Sequence, residues 1–341
     1  PIVSYTQRGY ISCDKDNKII LGCLVVVMVL VSVLMSSYNH EKYIAEAIES
    51  VLNQTIQDFE LIIVDDGSTD NSRQIIENYS KKDRRIKASF HTQNLGIPST
   101  ANDCLRQVSG EYIAYIGSDD LWVKNKLEKQ LQILKDNKDK LIWSEALVVD
   151  ARGSPTGQTI TQLLGATKKE GYLFEELLKE HFVVFQSLIF RADFAKGLQR
   201  DTNLQYASDH RFIVELSINR QFIFIEEPLA KYRMHGNNIT SRNKTEWMKE
   251  RITLRQFFLE KYSSKISKRT KADILHKIGH AYSLLGEQSI ARQFYLSAFQ
   301  ADHFHKNSLL YLMLALAAHN TKESESIAKT YYALSSISVK R

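Results

Sequence analysis

Residues 112–122 read YIAYIGSDDLW, an apolar run from Tyr112 to Ile116 that halts at two adjacent acids, Asp119 and Asp120. An apolar run without a polar break predicts a strand covered on both faces, as in parallel sheets. Ligands of such sheets bind at the carboxyl ends of the strands, where these acids stand. Two carboxylates within one turn repel unless a cation lies between them, and a hard divalent ion prefers oxygen ligands of this kind. A solvated turn opening the next helix is the competing reading, since acids suit a helix N-terminus. The stretch alone does not separate the two.

The same arrangement recurs upstream. FELIIVDDGSTDNS runs from a strand, Phe59–Val64, into Asp65, Asp66 and Gly67, and Ser68 or Thr69 can cap the helix through Ile75 and Ile76. Before it, VLVSVLM predicts a first strand at Val29–Met35, followed by the polar loop SSYNHEKY and a helix with Ile44, Ile48, Val51 and Leu52 at helical spacing. After it come a strand at Ile86–Phe90, the loop HTQNLGIPST and a helix through Leu105. The alternation of strand and helix predicts an α/β fold with a parallel, doubly covered sheet and right-handed crossovers. If the two acid-ended strands are neighbours, both acid pairs share one crevice, which needs a metal ion and an incoming ligand to be stable. The N-termini of the following helices add donors for phosphate. Neither G-x-x-x-x-G-K-[ST] nor G-x-G-x-x-G follows the first strand, which argues against a P-loop enzyme and a dinucleotide-binding dehydrogenase.

The chain has 341 residues, 43% of them hydrophobic and 25% charged, enough for one large domain and a smaller one. Its net charge of +6 suits an anionic partner without selecting among a phosphorylated substrate, a nucleic acid and an acidic membrane. Cys13, Cys23 and Cys104 lack metal-ligand spacing and point to a reducing compartment. Ile19 to Met35 is almost unbroken apolar sequence, slightly short for a spanning helix and without a clear cleavage site. Its many valines favour strand over helix. Residues 1–28 are therefore left as an extension of open status, with Met28 as an alternative start and a membrane anchor as an alternative role.

Beyond Leu141, LIWSEALVVDARGSPTG predicts a strand and turn, and FVVFQSLIFRADF a strand running into a short helix. A helix bearing Phe212, Ile213, Leu216 and Ile218 precedes a strand at Phe222–Ile225. From Trp247 to the end the apolar spacing is helical, and AYSLLGEQSIARQFYLSAFQAD has the small and large alternation of a paired-helix repeat such as the tetratricopeptide type.

With these motifs in hand, the stretch Val29–Thr240 resembles the metal-dependent inverting glycosyltransferases of family 2, which have the nucleotide-diphospho-sugar transferase (GT-A) fold. VSVLMSSYNHEKYIAEAIESVLNQT is similar to the family's first strand and helix, ELIIVDDGSTDNS to its second motif, GSDDLW to its D-x-D signature, and YRMH at Tyr232–His235 to its late motif. The resemblance implies donor-nucleotide contacts from Ser36, Tyr38, Asp65, Asp66, Ser118, Asp119 and Arg233. It implies Mg²⁺ or Mn²⁺ held by Asp119, Asp120 and His235, and Asp209 in YASDHRF as catalytic base; Glu215, one helical face further on, is a weaker candidate from its position alone. A divalent ion acting as Lewis acid on the leaving diphosphate, and a carboxylate taking the acceptor's proton, make consistent chemistry.

Two positions depart from the pattern. Gly117 stands where the first acid of D-x-D belongs, and Ala101 precedes Asn102 where the family often has arginine, so that a phosphate contact is either missing or supplied by Arg106 or Arg233. The implied protein has an extension at 1–28, a GT-A domain at 29–240 and a helical region at 241–341. It takes a nucleoside-diphosphate sugar and a saccharide or lipid-linked acceptor in cell-surface polysaccharide or glycolipid synthesis, and no nucleic acid. Its implied location is the cytoplasm, with peripheral contact on the inner face of the cytoplasmic membrane as an option. A nucleotidyltransferase would want a glycine- and lysine- or arginine-rich loop after the first strand, unlike SSYNHEKY. A non-catalytic sugar-nucleotide-binding module with a partner-binding helical tail is the other alternative.

Overall fold

The computed structural model describes residues 4–6, 9–13, 18–21, 24–27, 29–165, 169–236, 243–303, 310 and 313. The chain divides into two compact units, residues 1–173 with 182–235, and residues 174–181 with 236–341.

In the first unit, β1 (Ser4–Thr6), β2 (Gly9–Cys13), β3 (Lys18–Leu21) and β4 (Leu24–Val27) pair in sequence as an antiparallel sheet. The apolar stretch from Ile19 is thus cut into separate strands, and among the described residues no helix is long and apolar enough to cross a membrane.

The large sheet begins with β5 (Val31–Ser37), α1 (Ile44–Leu52), β6 (Phe59–Asp65), α2 (Ser72–Lys82), β7 (Ile86–Phe90), α3 (Ile97–Arg106) and β8 (Tyr112–Tyr115). It continues through β9 (Leu121–Trp122), α4 (Lys126–Leu134), β10 (Leu141–Val149), β11 (Pro155–Thr159), α5 (Ile160–Leu164) and β12 (Gly171–Tyr172). After α6 (Phe174–Lys179), which belongs to the other unit, β13 (Ile189–Arg191), α7 (Ser208–Ser217) and β14 (Gln221–Arg233) complete it. The order across the sheet is β12-β14-β10-β13-β8-β5-β6-β7, with β11 beside β10 and β9 beside β14.

β8, β5, β6 and β7 are parallel neighbours, as the alternation of strand and helix requires. Every residue of β6 and of β8 is buried, which explains their unbroken apolar runs. β13 is antiparallel to both β8 and β10, and β10 is parallel to β14. Consequently β10 and β14 point the same way as β8, and the carboxyl ends of β5, β6, β8 and β14 emerge along one edge.

Three expectations change here. The first strand lies two residues further on, at Val31–Ser37, because Ser36 and Ser37 pair with Val64 and Asp65. The acid-ended strands β6 and β8 are not neighbours, since β5 lies between them. The strand expected at Phe222–Ile225 runs on to Arg233: Glu226–Leu229 bulge out opposite Glu145 alone, and pairing resumes at Ala230 with Ala146. Pro228 within the bulge disguised the second half of the strand.

The second unit joins α6 to α8 (Lys244–Tyr262), α9 (Lys268–Leu284) and α10 (Gln288–Ala301). Its boundary differs from the contiguous region expected at 241–341, because α6 is taken from the middle of the chain. Leu177 and Leu178 of α6 are fully buried, and Glu175 accepts the Ser267 hydroxyl at 2.6 Å where Ser267 caps α9. Arg251, Arg255 and Lys277 converge on the Glu180 carboxylate, and burial, with Arg255 and Arg251 nearby, brings the Lys277 ammonium down to about 7. The stretch that reads as a paired-helix repeat falls in α9 and α10, where a Cβ on Gly279 would stand 3.0 Å from the Tyr295 ring. The helical spacing beyond 303 falls almost wholly outside the described residues.

Candidate active site

The site is built where β5, β6, β8 and β14 end. After β5 the backbone turns at Asn39, with φ of 54°, a left-handed conformation that asparagine tolerates. Asn39 fastens this turn to the next loop, its amide donating to Ser68 Oγ at 2.9 Å and its Oδ1 accepting from Thr69 N at 2.8 Å. The amide of His40 donates to Ser72 Oγ at 2.9 Å, which fixes the imidazole over the end of β8.

The acids after β6 are occupied by the protein itself. Asp65 Oδ1 accepts Ser68 N at 2.9 Å and Oδ2 accepts Ser68 Oγ at 2.6 Å. Asp66 takes the amides of Leu95 and Gly96 at 2.8 and 2.9 Å, and its Oδ1 is 2.7 Å from His91 Nδ1. The other His91 nitrogen reaches Asp103 Oδ2 at 2.8 Å. Between these groups Gly67 has φ of 70°, and a Cβ there would meet the Gln93 carbonyl carbon at 2.7 Å. Both carboxylates therefore order the loops at 67–69 and 91–96.

The acids after β8 divide their work differently. Asp120 is buried, with Oδ1 accepting Arg233 N at 2.9 Å and Oδ2 accepting Gln186 Nε2 at 2.7 Å. Burial and then the charge of Asp119 push the Asp120 carboxyl well above the usual carboxylate range. Asp119 Oδ2 lies 3.0 Å from His235 Nε2 and 3.8 Å from His40 Nε2. Burial pushes the Asp119 carboxyl up, but the His235 hydrogen bond and the charges of His40 and His235 outweigh it and hold the group below its ordinary value. His40 Nδ1 is 2.7 Å from Ser118 Oγ, and His235 stacks on Tyr43 with ring centroids 4.8 Å apart.

His40, Asp119 and His235 each offer one ligand atom, all within 4.8 Å of one another, and two nitrogens with one oxygen make a donor set that fits a divalent transition ion. The sequence reading put Asp120 on the ion, but its carboxylate is turned to Arg233 and Gln186. The third candidate ligand of the group is His40, which the sequence does not single out. Its signal was available: a histidine in the loop directly after the first strand, at the edge where the acids gather.

Arg233 also departs from its expected role as a phosphate contact. Its side chain is 1% exposed. Nε donates to the Asp119 carbonyl at 2.9 Å, one terminal nitrogen to the Ala151 carbonyl at 3.0 Å, and the other to Glu46 at 2.7 Å. It clamps the end of β14 to the Asp119–Asp120 turn, and so brings His235 to Asp119. Ser118 is likewise buried and bonded to His40. Tyr38 is 40% exposed and presents an open ring, Ser36 Oγ lies 4.0 Å from Cys104 Sγ, and Asp209 sits half-buried in the first turn of α7.

Comparison with known proteins agrees with this architecture. The sequence model of Glycosyl transferase family 2 matches residues 32–198. An uncharacterized glycosyltransferase of Methanocaldococcus jannaschii is 34% identical over 241 residues, 68% of this chain and 80% of that protein. The Bacillus subtilis glycosyltransferase TuaG, named for teichuronic acid biosynthesis, is 30% identical over 237 residues, 68% of this chain and 91% of its own. Among solved structures, S. aureus TarS 1–349 in complex with UDP-GlcNAc superimposes with a TM-score of 0.65 at 20% identity, covering 89% of this chain and 92% of that one. The mannosyltransferase PcManGT of Pyrobaculum calidifontis, in complex with GDP-Man and Mn²⁺, has a TM-score of 0.51 at 18% identity, over 87% and 85% of the two chains. A mostly parallel sheet with its acids gathered at the carboxyl edge, and relatives that cover most of their own length, make this chain a glycosyltransferase of family 2 with the GT-A fold.

Proposed function

We propose that the enzyme moves a sugar, with inversion, from a nucleoside-diphosphate sugar to a hydroxyl of a saccharide or lipid-linked acceptor in cell-envelope polysaccharide synthesis, using a divalent ion at Asp119. One observation carries the reading: a carboxylate flanked by two imidazoles, 3.0 and 3.8 Å away, at the sheet edge where the nucleotide-shaping loops also end. The kinds of relative support it, with UDP-GlcNAc or GDP-Man and Mn²⁺ bound in two structural neighbours and a teichuronic acid role in the name of TuaG.

In this reading the open ring of Tyr38 stacks on the donor's base beside Ser36. Asp65 and Asp66 set the floor of that pocket by holding the loops at 67–69 and 91–96 in place. Asp120 and Arg233 act as positioning groups that bring Asp119 and His235 together. A bound Mg²⁺ or Mn²⁺ supplies Lewis-acid stabilisation of the diphosphate as its charge develops. Asp209 takes the proton of the acceptor hydroxyl while that oxygen attacks the anomeric carbon from the face opposite the leaving diphosphate.

The test is a panel of UDP-, dTDP- and GDP-sugars with and without Mn²⁺, read first by thermal shift and then by donor consumption. A ligand that binds only the folded chain raises the melting temperature, by about 2.7 kcal/mol of stabilisation at a hundredfold excess over Kd. We expect one base class to stabilise the chain in an Mn²⁺-dependent way and to be consumed when acceptor is added. Failure of every sugar nucleotide to shift the transition overturns the proposal, and binding without consumption under any acceptor leaves a non-catalytic binding module.

A further inference from the structure

We infer that the metal centre is a two-imidazole, one-carboxylate site in which His40 supplies the ligand that Gly117 takes away from the D-x-D signature, and that this donor set prefers ions such as Mn²⁺, Co²⁺ and Zn²⁺ over Mg²⁺. The inference rests on the metal-dependent reading above and goes further in naming the ligands and the ion class.

The first support is what the turn after β8 excludes. A Cβ added to Gly117 would stand 2.6 Å from Asp120 Oδ2 and 2.8 Å from Asp119 Oδ1. The turn as packed has no room for a side chain there, so an acid at this position would displace one of the other two carboxylates. Asp120 is committed as well, with one oxygen on the Arg233 amide and the other on the Gln186 side chain. Of the two acids in this turn, only Asp119 faces the histidines. A single carboxylate with substrate phosphates can serve Mg²⁺, but the other two donors here are imidazole nitrogens, which this oxygen-preferring ion uses poorly.

The second support is how His40 is held. Its backbone is fixed by the Ser72 hydroxyl, and its ring by Ser118, whose Oγ lies 2.7 Å from Nδ1. With Nδ1–H donating to Ser118, the Nε2 lone pair is directed to the side where Asp119 Oδ2 lies 3.8 Å away. A metal-ligating histidine characteristically donates its other ring N–H to a neighbouring oxygen, which fixes the tautomer and raises the ligand's basicity. Ser118, at the middle position of the signature, is placed to do this for His40. The His235 side chain is 3% exposed and held by stacking on Tyr43, so both imidazoles are ordered before any ion arrives.

The plain competing account is a hydrogen-bond cluster in which Asp119 merely orients His235. It predicts no nitrogen ligation. Imidazole nitrogens favour later first-row ions over Mg²⁺, with affinity rising from Mn²⁺ through Co²⁺, so the two accounts separate by metal titration and by counting nitrogens.

The experiment uses the full chain stripped with EDTA. Calorimetry with Mg²⁺, Mn²⁺ and Co²⁺ gives the affinity order, and electron spin-echo spectroscopy of the Mn²⁺ form counts coordinated imidazoles. We expect Mn²⁺ to bind at least about tenfold more tightly than Mg²⁺, with two imidazoles in the wild type and one in each of His40→Gln and His235→Gln. His40→Gln, checked for folding by circular dichroism, should lose about 10- to 100-fold in Mn²⁺ affinity and much of the preference over Mg²⁺. Ser118→Ala should keep both imidazoles and lose about tenfold in affinity. One imidazole in the wild type, unchanged in His40→Gln, removes His40 from the centre and leaves metal dependence intact. Transfer that proceeds in EDTA, in a chain that binds none of the three ions, removes the metal reading itself and this inference with it.

Discussion

Two strands of the same sheet lead into the same dipeptide, and the two acid pairs do different things. At Asp65–Asp66 the carboxylates are met by Ser68, by the amides of Leu95 and Gly96, and by His91. At Asp119–Asp120 one carboxylate is met by Arg233 N and Gln186, and the other faces two histidines. The difference lies in what each following segment offers. A loop with small residues and open amides folds back on its acids and satisfies them, whereas the turn after β8 is closed by β14, whose end brings a buried arginine and a histidine. An acid pair at a strand end is therefore a binding site only to the extent that neighbouring elements leave a carboxylate facing groups that can join it on a ligand.

The comparison breaks most directly at Asp119. Asp119→Asn removes the charge that an ion needs, and transfer should fall about 10³- to 10⁴-fold, the several kcal/mol a Lewis acid supplies to the leaving group. Metal titration and initial rates on the variant check this, and full Mn²⁺ affinity in it would return Asp119 to the same structural class as Asp65. Asp209→Asn comes next. The acid lies on α7, outside both pairs, so transfer should drop by at least about 10²-fold while donor and metal affinity are retained, because an amide cannot accept the hydroxyl proton. Donor affinity that collapses with the rate would assign Asp209 to binding and turn attention to Glu215.

How far the sequence exposes this arrangement follows from where the information sits. The strands of the block β8-β5-β6-β7 and their parallel direction are legible because burial on both faces forces apolar runs and helices alternate with them, whereas their order, with β5 between the two acid-ended strands, is not. β13 is expected as a strand within FVVFQSLIFRADF, but three residues, Ile189–Arg191, carry no sign that it runs antiparallel between β8 and β10. The second half of β14 is hidden by Glu226, Glu227 and Pro228, which read as a loop and form a bulge. α6 falls in a stretch the sequence leaves unassigned, and Leu177 and Leu178 look the same whichever core they enter. In the site, Asp119 and His235 are carried by local motifs. His40 is not, since it meets Asp119 only because β5 and β8 are neighbours, and Arg233 misleads because a buried guanidinium and a ligand-binding one have the same letter.

A smaller effect is expected at the structural pair. Asp66→Ala leaves the amides of Leu95 and Gly96, on a partly exposed loop, without their acceptor, at a cost of about 1–3 kcal/mol in stability, given about 0.5–1.5 for each hydrogen bond lost where water can reach the donor. Thermal unfolding measures it, and Mn²⁺ affinity should survive, since this pair lies a strand away from Asp119. An intact melting temperature with lost metal binding would invert the roles assigned to the two pairs.

The smallest effect is expected at Asp120, the residue that by sequence looks most like a second metal ligand. Its two bonds can both be kept by an amide. In Asp120→Asn the oxygen still accepts the Arg233 amide, and the new NH₂ faces Gln186, whose own amide can turn to present oxygen in place of nitrogen. The volume is unchanged, so β14 remains clamped to the turn and His235 remains beside Asp119. Stability should change by less than about 1 kcal/mol, the range of a hydrogen bond exchanged for an equivalent one. Mn²⁺ affinity should stay at the wild-type value, in contrast to Asp119→Asn next door. Calorimetry on the two neighbouring variants under one set of conditions decides it. Equal loss of Mn²⁺ in both would place Asp120 on the ion and make the pair after β8 a two-carboxylate site, while a collapse in stability without loss of metal would mean that Gln186 cannot turn and that the clamp depends on a carboxyl group.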